Sequence, residues 1–185
     1  MPCNLSLGRQ EVCKDSVGGL QGVYFINYTT GSFSQTTGST AVPAGLITGL
    51  PSGVSTVYYY ELKGTSAYTE TVNTSRENGT TFFSQELTLN LKKLTNEMTT
   101  QLKLMAYGRP QIIVWTNNGD ALLVGQHLGA DLTAGTISTG GALGDLYGYT
   151  ATFTGTEQFP AAFLSGSTTT SPFAGWSVQP TIVYS

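Results

Sequence analysis

The residues best able to do chemistry in this chain are few and far apart. There is one histidine, His127, with Asp120 and Asp131 close in sequence. Neither a serine nor a cysteine near it occupies a nucleophile elbow, so His127 at a strand end reads as structural. The carboxylates Glu61, Glu70, Glu77, Glu86, Glu97, Asp120, Asp131, Asp145 and Glu157 are scattered singly. Glycoside chemistry needs two acids converging at a cleft, and no spacing here favours such a pair. Cys3 and Cys13 lie ten residues apart, with no CxxC and no histidine nearby, which makes a poor metal site. Glycine is abundant at 23 residues, yet no G-x-G-x-x-G or Walker pattern opens a helix. Gly38, Gly45, Gly49 and Gly53 merely punctuate a loop. The expectation is a protein with no enzymatic activity, no cofactor and no metal.

Composition points the same way. At 185 residues the chain suits a single domain, 1–185, with a respectable core. Only 10% of residues are charged, against roughly 25% in a typical soluble domain. Ser, Thr, Asn, Gln and Gly must therefore form the polar surface. Such a surface suits a protein whose outside is occupied by neighbours, because charge is depleted at interface cores. A secreted or cell-surface β-domain can share this composition. The net charge of −3 argues against phosphate binding as the main task. Lys92–Lys93 is the sole basic pair and reads as a solvated or interface edge. The start lacks a basic segment followed by an apolar one, and no run approaches transmembrane length. The sequons at Asn4, Asn27, Asn73 and Asn78 then follow from a Ser/Thr-rich chain, and a soluble intracellular product with free thiols is expected.

The elements that must position any site centre on Gly79–Gly108. From Phe83, residues Phe83, Gln85, Leu87, Leu89 and Leu91 alternate with Ser84, Glu86, Thr88, Asn90 and Lys92, the period of a half-buried strand. At Thr95 the period changes: Leu94, Met98, Leu102 and Met105 make one helix face. Thr95 caps its start, Glu97 suits the positive end, and Gly108 with Pro110 stops it. Residues 1–20 read as an N-terminal arm. The strand Gln21–Tyr28 is apolar on both faces, so it is expected to be covered twice. Thr29–Gly53 is long but carries Phe33, Val42, Leu46, Ile47 and Leu50, and reads as a projecting loop that orders against a neighbouring molecule. Strands follow at Ser55–Leu62 and Ala67–Ser75, then a turn over Arg76–Gly79. A hairpin of Gln111–Thr116 and Asp120–His127 turns at Asn117-Asn118-Gly119. Leu128–Gly144 reads as a strand with a wide turn, and Leu146–Gly155 as another long strand that alternates Tyr147, Tyr149, Ala151 and Phe153 with Gly148, Thr150, Thr152 and Thr154. Pro160–Leu164 closes the core, Ser165–Pro172 reads as a linker, and Phe173–Tyr184 is a terminal segment with Trp176. The fold class is mainly β: an antiparallel β-sandwich or half-open barrel with one flanking helix near 95–107.

The block Phe83–Leu164 resembles the major tail tube proteins of tailed bacteriophages. The resemblance rests on Gln85-Glu86-Leu87-Thr88-Leu89-Asn90-Leu91-Lys92-Lys93-Leu94-Thr95 and its continuation Gln101-Leu102-Lys103-Leu104-Met105-Ala106. It rests also on Gly144–Glu157, a Gly-Tyr strand ending in Thr-Phe-Thr-Gly with an acid, and on Pro160-Ala161-Ala162-Phe163-Leu164. Cys13–Gly19 is similar to the start of such proteins from phages of Bacteroides-like hosts.

The resemblance implies a subunit that forms hexameric rings stacked into a hollow tube, the conduit for genome delivery. Its partners would be copies of itself, other tail proteins, and DNA passing through the lumen without specific binding. Its place would be the virion, after synthesis in the host cytoplasm, with no membrane contact. Related folds also serve as tail terminators, baseplate rings and collars. Residues 165–185 extend past the point where many tube proteins stop. The oligomer interface is expected to use Phe33, Val42, Leu46, Ile47, Leu50, Ser84, Thr88, Asn90 and Trp176. A carbohydrate- or host-surface-binding β-sandwich is the alternative, since 10 Tyr and 2 Trp could stack on sugars.

Overall fold

Alternating apolar residues build two stacked sheets, and the pairing decides which residues share a face. The computed structural model describes residues 8–9, 13–36 and 45–184. Among the described residues, twelve strands and one helix follow in chain order: β1 (Leu20–Ile26), β2 (Ser34–Gln35), β3 (Ile47–Gly49), β4 (Thr56–Glu61), β5 (Ala67–Ser75), β6 (Thr80–Lys92), α1 (Asn96–Tyr107), β7 (Gln111–Thr116), β8 (Ala121–Val124), β9 (Asp131–Ser138), β10 (Gly148–Glu157), β11 (Ala162–Phe163) and β12 (Thr181–Val183). A six-stranded sheet has the order β11-β8-β7-β1-β4-β12, and a four-stranded sheet the order β5-β6-β10-β9. β2 and β3 form a separate ribbon. All pairings are antiparallel except β12 beside β4. The sheets stay open, and none closes into a barrel.

The first core lies between the two sheets. Val23, Phe25, Ile112 and Val114 meet Leu87, Leu89, Tyr149, Ala151 and Phe153 there, with Leu102 of α1 at its margin. Leu94, Met98 and Met105 pack half-buried beside Leu102, as their helical spacing requires. Thr95 caps α1 by accepting the Met98 N–H at 3.1 Å, and the Gly108 N–H closes the other end on the Leu104 carbonyl at 3.0 Å.

One buried phenol ties the helix to the sheet. The Tyr149 hydroxyl donates to the Thr95 carbonyl at 2.9 Å, accepts the Thr95 N–H at 3.2 Å and lies 2.7 Å from the Thr99 hydroxyl. Tyr149→Phe keeps the ring but removes those bonds at a buried cap. It is expected to cost about 1–3 kcal/mol in urea denaturation, with α1 amides exchanging first. Unchanged stability would show that the hydroxyl is dispensable.

The second core covers the other face of the six-stranded sheet. Tyr24, Ile26, Val57, Ile113, Trp115 and Leu123 are buried under Phe33, Ile47, Leu164, Phe173 and Trp176. β1 is thus covered on both faces, and its second cover comes from its own chain. This corrects two expectations. The loop 29–53 does not project over its described part: it folds back as the β2–β3 ribbon, with Phe33 5% exposed and Ile47 fully buried. Residues 165–172 are a strap tethered to the second core rather than a free linker, with Thr168–Thr170 left exposed. The Thr168 carbonyl accepts the Trp115 indole N–H at 2.9 Å, and the strap continues to β12, which adds to the β4 edge. The physical reason is shared: a two-faced apolar strand needs a cover, and these flanking apolar residues are the nearest in the chain.

The N-terminal arm is also tied down near its end. Asn118 exchanges two hydrogen bonds of 2.9 Å with the Val17 backbone, and the Asn117 amide donates to the Gly18 carbonyl at 2.9 Å.

Candidate functional site

The lone histidine belongs to a structural carboxylate. Glu157, 3% exposed, accepts the N–H groups of His127 and Leu128 through one oxygen at 2.8 and 2.9 Å. Its other oxygen stands 3.2 Å from His127 Nδ1. That carboxylate pins the turn between β8 and β9, where Gly125 and Gly129 adopt positive φ. Asp120 and Asp131 make no hydrogen bond or ion pair with His127 among the described residues. A cleft of about 450 Å³ opens beside it, lined by Tyr28, Thr29, Ser32, Gln35, Gln126 and His127. The Arg109 guanidinium lies 4.1 Å over the Tyr28 ring and occupies one of its faces. Among the described residues, no group of three His, Cys, Asp or Glu could hold a metal. No helix there is long and apolar enough to cross a membrane.

Glu70 serves the fold as well. Gln85, 1% exposed, donates to Glu70 at 3.0 Å and accepts the Gly125 N–H at 2.9 Å, while Glu70 accepts the Ala161 N–H at 2.9 Å. This chain of bonds crosses from one sheet to the other. Burial, and secondarily Glu70, pushes the Tyr68 phenol well above its ordinary range.

Asp145 shapes the loop between β9 and β10. Its carboxylate accepts the N–H groups of Ala142 and Gly141 at 2.7 and 2.9 Å, which holds it below the usual carboxylate range, Ala142 first. A depressed carboxylate stabilises the loop above its unfolded pKa, and that contribution is lost as pH falls through the folded value. Asp145→Asn, or acidification through the carboxylate range, is expected to lower the hydrogen-exchange protection factors of the Gly141 and Ala142 amides. The β10 amides should be unaffected, and protection unchanged in both would remove the role assigned to Asp145.

The most uniform polar surface is the outer face of the four-stranded sheet. Register places Thr156 opposite Ser84, Thr152 opposite Thr88 and Thr150 opposite Asn90. β5 adds Thr71 opposite Ser84, and β9 adds Thr136 opposite Thr150. The result is a wall of hydroxyls and amides, interrupted by Glu86, Asp131 and Lys92. Neighbours satisfy one another: Thr150 Oγ1 donates to Asn90 Oδ1 at 3.1 Å, and Asn73 donates to Ser84 Oγ at 3.0 Å.

Both edges of this sheet are free among the described residues. β5 bounds one side and β9 the other. Successive antiparallel pairing makes β5 and β9 run in opposite directions. They are also staggered. Tyr68 stands in the row of Leu87, Phe153 and Leu132, whereas Ile137 stands in the row of Tyr149 and Leu91. The sheet is therefore a parallelogram.

Of the residues expected at an interface, the structure brings together Ser84, Thr88 and Asn90 on this half-exposed face. It places Phe33, Ile47 and Trp176 inside the second core, with Leu46 and Leu50 half-buried around it. Val42 lies outside the described residues. Sequence reasoning missed the two free edges, because strand order depends on non-local pairing. The threonine alternation of β10 was a visible signal, but its partners were not. Comparison with known proteins returns no matching family model, no matching curated protein and no matching solved structure.

Proposed function

We propose that this chain is a self-assembling virion subunit, a tail-tube-like ring protein without catalysis, whose four-stranded sheet is one sector of a larger closed sheet. The carrying observation is the pair of free edges, β5 and β9, which run in opposite directions. Rotating a copy about an axis on the outer-face side brings one copy's β9 beside the next copy's β5. The seam is then antiparallel and continues the existing pattern.

The stagger supports the same reading. Edges of a parallelogram pair fully only when each copy is offset along the strands, and a closed barrel requires that shear and tilt. Closure also removes exposed strand edges. The wall of threonine, serine and asparagine then faces the lumen, with little of the positive charge that holds phosphate. Duplex DNA passes such a wall without specific binding, and no cofactor is needed. Sixfold symmetry, stacking of rings and the other tail proteins as partners follow from the resemblance. The sugar-binding alternative is weakened because, of the aromatic rings lining the cleft, Phe33 is buried in the second core and Arg109 covers a face of Tyr28.

Mass photometry and negative-stain imaging of the purified protein across a concentration series test this reading. Rings or tubes of uniform diameter are expected, and a strictly monomeric species at high concentration would overturn it.

A further inference from the structure

Two apolar surfaces lie uncovered on the inner side of the four-stranded sheet, one beside each free edge. At the β9 edge a groove of about 360 Å³ separates α1 from the strand. Leu102, Ala106, Leu132 and Ile137 line it, together with Lys103. Ile137 is 56% exposed although it shares the inward face with Tyr149. Gly135 adds no side chain to the groove, and the nearest atom to a Cβ placed there would be the Thr150 carbonyl at 3.6 Å. At the β5 edge the inward series Tyr68, Glu70 and Val72 runs outward along the hairpin. Val72, opposite Phe83, is 58% exposed.

We propose that the groove between α1 and β9 receives the Val72 side of β5 from a second copy of this chain. The inference rests on the ring reading and names the side chains that seal its seam. Strand addition within one sheet keeps each face continuous, because side chains alternate with a period of two. Any in-plane pairing of β5 with β9 therefore carries Val72 to the side of β9 on which α1 sits. Charge favours the same partner. Lys103 is the charged residue among those lining the groove, and Glu70 is the charged residue beside Val72 on the inward face of β5. α1 is then the cover of a subunit seam, which explains a helix whose one buried residue is Leu102.

The test uses the full chain with Cys3→Ser and Cys13→Ser. Val72→Cys with Ala106→Cys is expected to give, on mild oxidation of assembled protein, a ladder of covalent multimers that neither single cysteine gives. Val72→Asp is expected to raise the concentration needed for assembly at least tenfold while the monomer melts unchanged. Ile137→Asp, on the opposite side of the seam, repeats that test if Val72→Asp fails to fold. Normal rings with no ladder and no effect of either aspartate would overturn the groove assignment and leave the ring reading standing. Absence of any assembly by the unmodified protein would overturn both.

Discussion

Trp176→Ala is expected to destabilise the monomer by about 3–5 kcal/mol, the range for removing a large buried aromatic side chain. Trp176 is 4% exposed and sits at the centre of the second core. Its ring packs on Phe173 with centroids 4.9 Å apart, and Phe173 packs edge-on against Tyr24 of β1 at 5.0 Å. The indole N–H donates to the Ile47 carbonyl at 3.0 Å, so this one side chain joins the C-terminal strap, the β2–β3 ribbon and the sheet. Truncation to alanine leaves a cavity that the six-stranded sheet cannot collapse into, because Val23, Phe25, Ile112 and Val114 hold its other face in the first core. Trp176→Phe separates the two contributions. It keeps much of the ring and loses the hydrogen bond, but the Ile47 carbonyl still accepts the Ser165 N–H at 2.8 Å. The expected loss is therefore only about 0.5–1.5 kcal/mol from the bond itself. Guanidinium denaturation with a constant m-value measures both. A small effect of Trp176→Ala would mean that the strap is not part of the core.

Much of the fold was legible because its signals were local. β5 and β7 coincide with stretches rich in β-branched and aromatic residues. The α1 cap at Thr95 and stop at Gly108 follow from chemistry within four residues. The alternation in β6 and β10 gave the inward residues Leu87, Leu89, Tyr149 and Phe153 correctly, all of them buried. The destination of the flanking apolar residues was not legible. Hydrophobicity says that Phe33, Ile47 and Trp176 must leave water, and it is silent on whether the cover belongs to the same molecule. Three-residue pairings such as β12 on β4 carry no sequence signature of their own. The candidate site divides in the same way. Ser84, Thr88 and Asn90 were readable as an outward face from period alone. The edges that give this face its meaning depend on which strands end the sheet, a property set by loop closure and packing over the whole chain.

The largest effect is expected from removing residues 31–52. Had the loop projected freely, such a deletion would leave a folded monomer that no longer stacks. The structure reverses that expectation. The deletion takes Phe33 and Ile47 out of the second core, removes the carbonyl that anchors Trp176, and uncovers Tyr24, Ile26 and Leu123. Losing each buried apolar side chain costs about 2–5 kcal/mol, and a domain of this kind holds only about 5–15 kcal/mol in total. The product should lose near-UV circular dichroism, bind a hydrophobic dye and melt without a cooperative transition, all before any question of assembly arises. A deletion variant that melts like the intact protein would show that the second core is an accessory layer. The distinction decides how assembly mutants are interpreted. Loss of rings after deletion of this segment would say nothing about an interface, because the subunit itself is gone. Only changes on surfaces already exposed in the monomer, such as Val72, Ile137 and the Thr88 face, can separate the seam from the fold. Those positions make little contact with either core, so assembly lost there with an unchanged melt must come from contacts between copies.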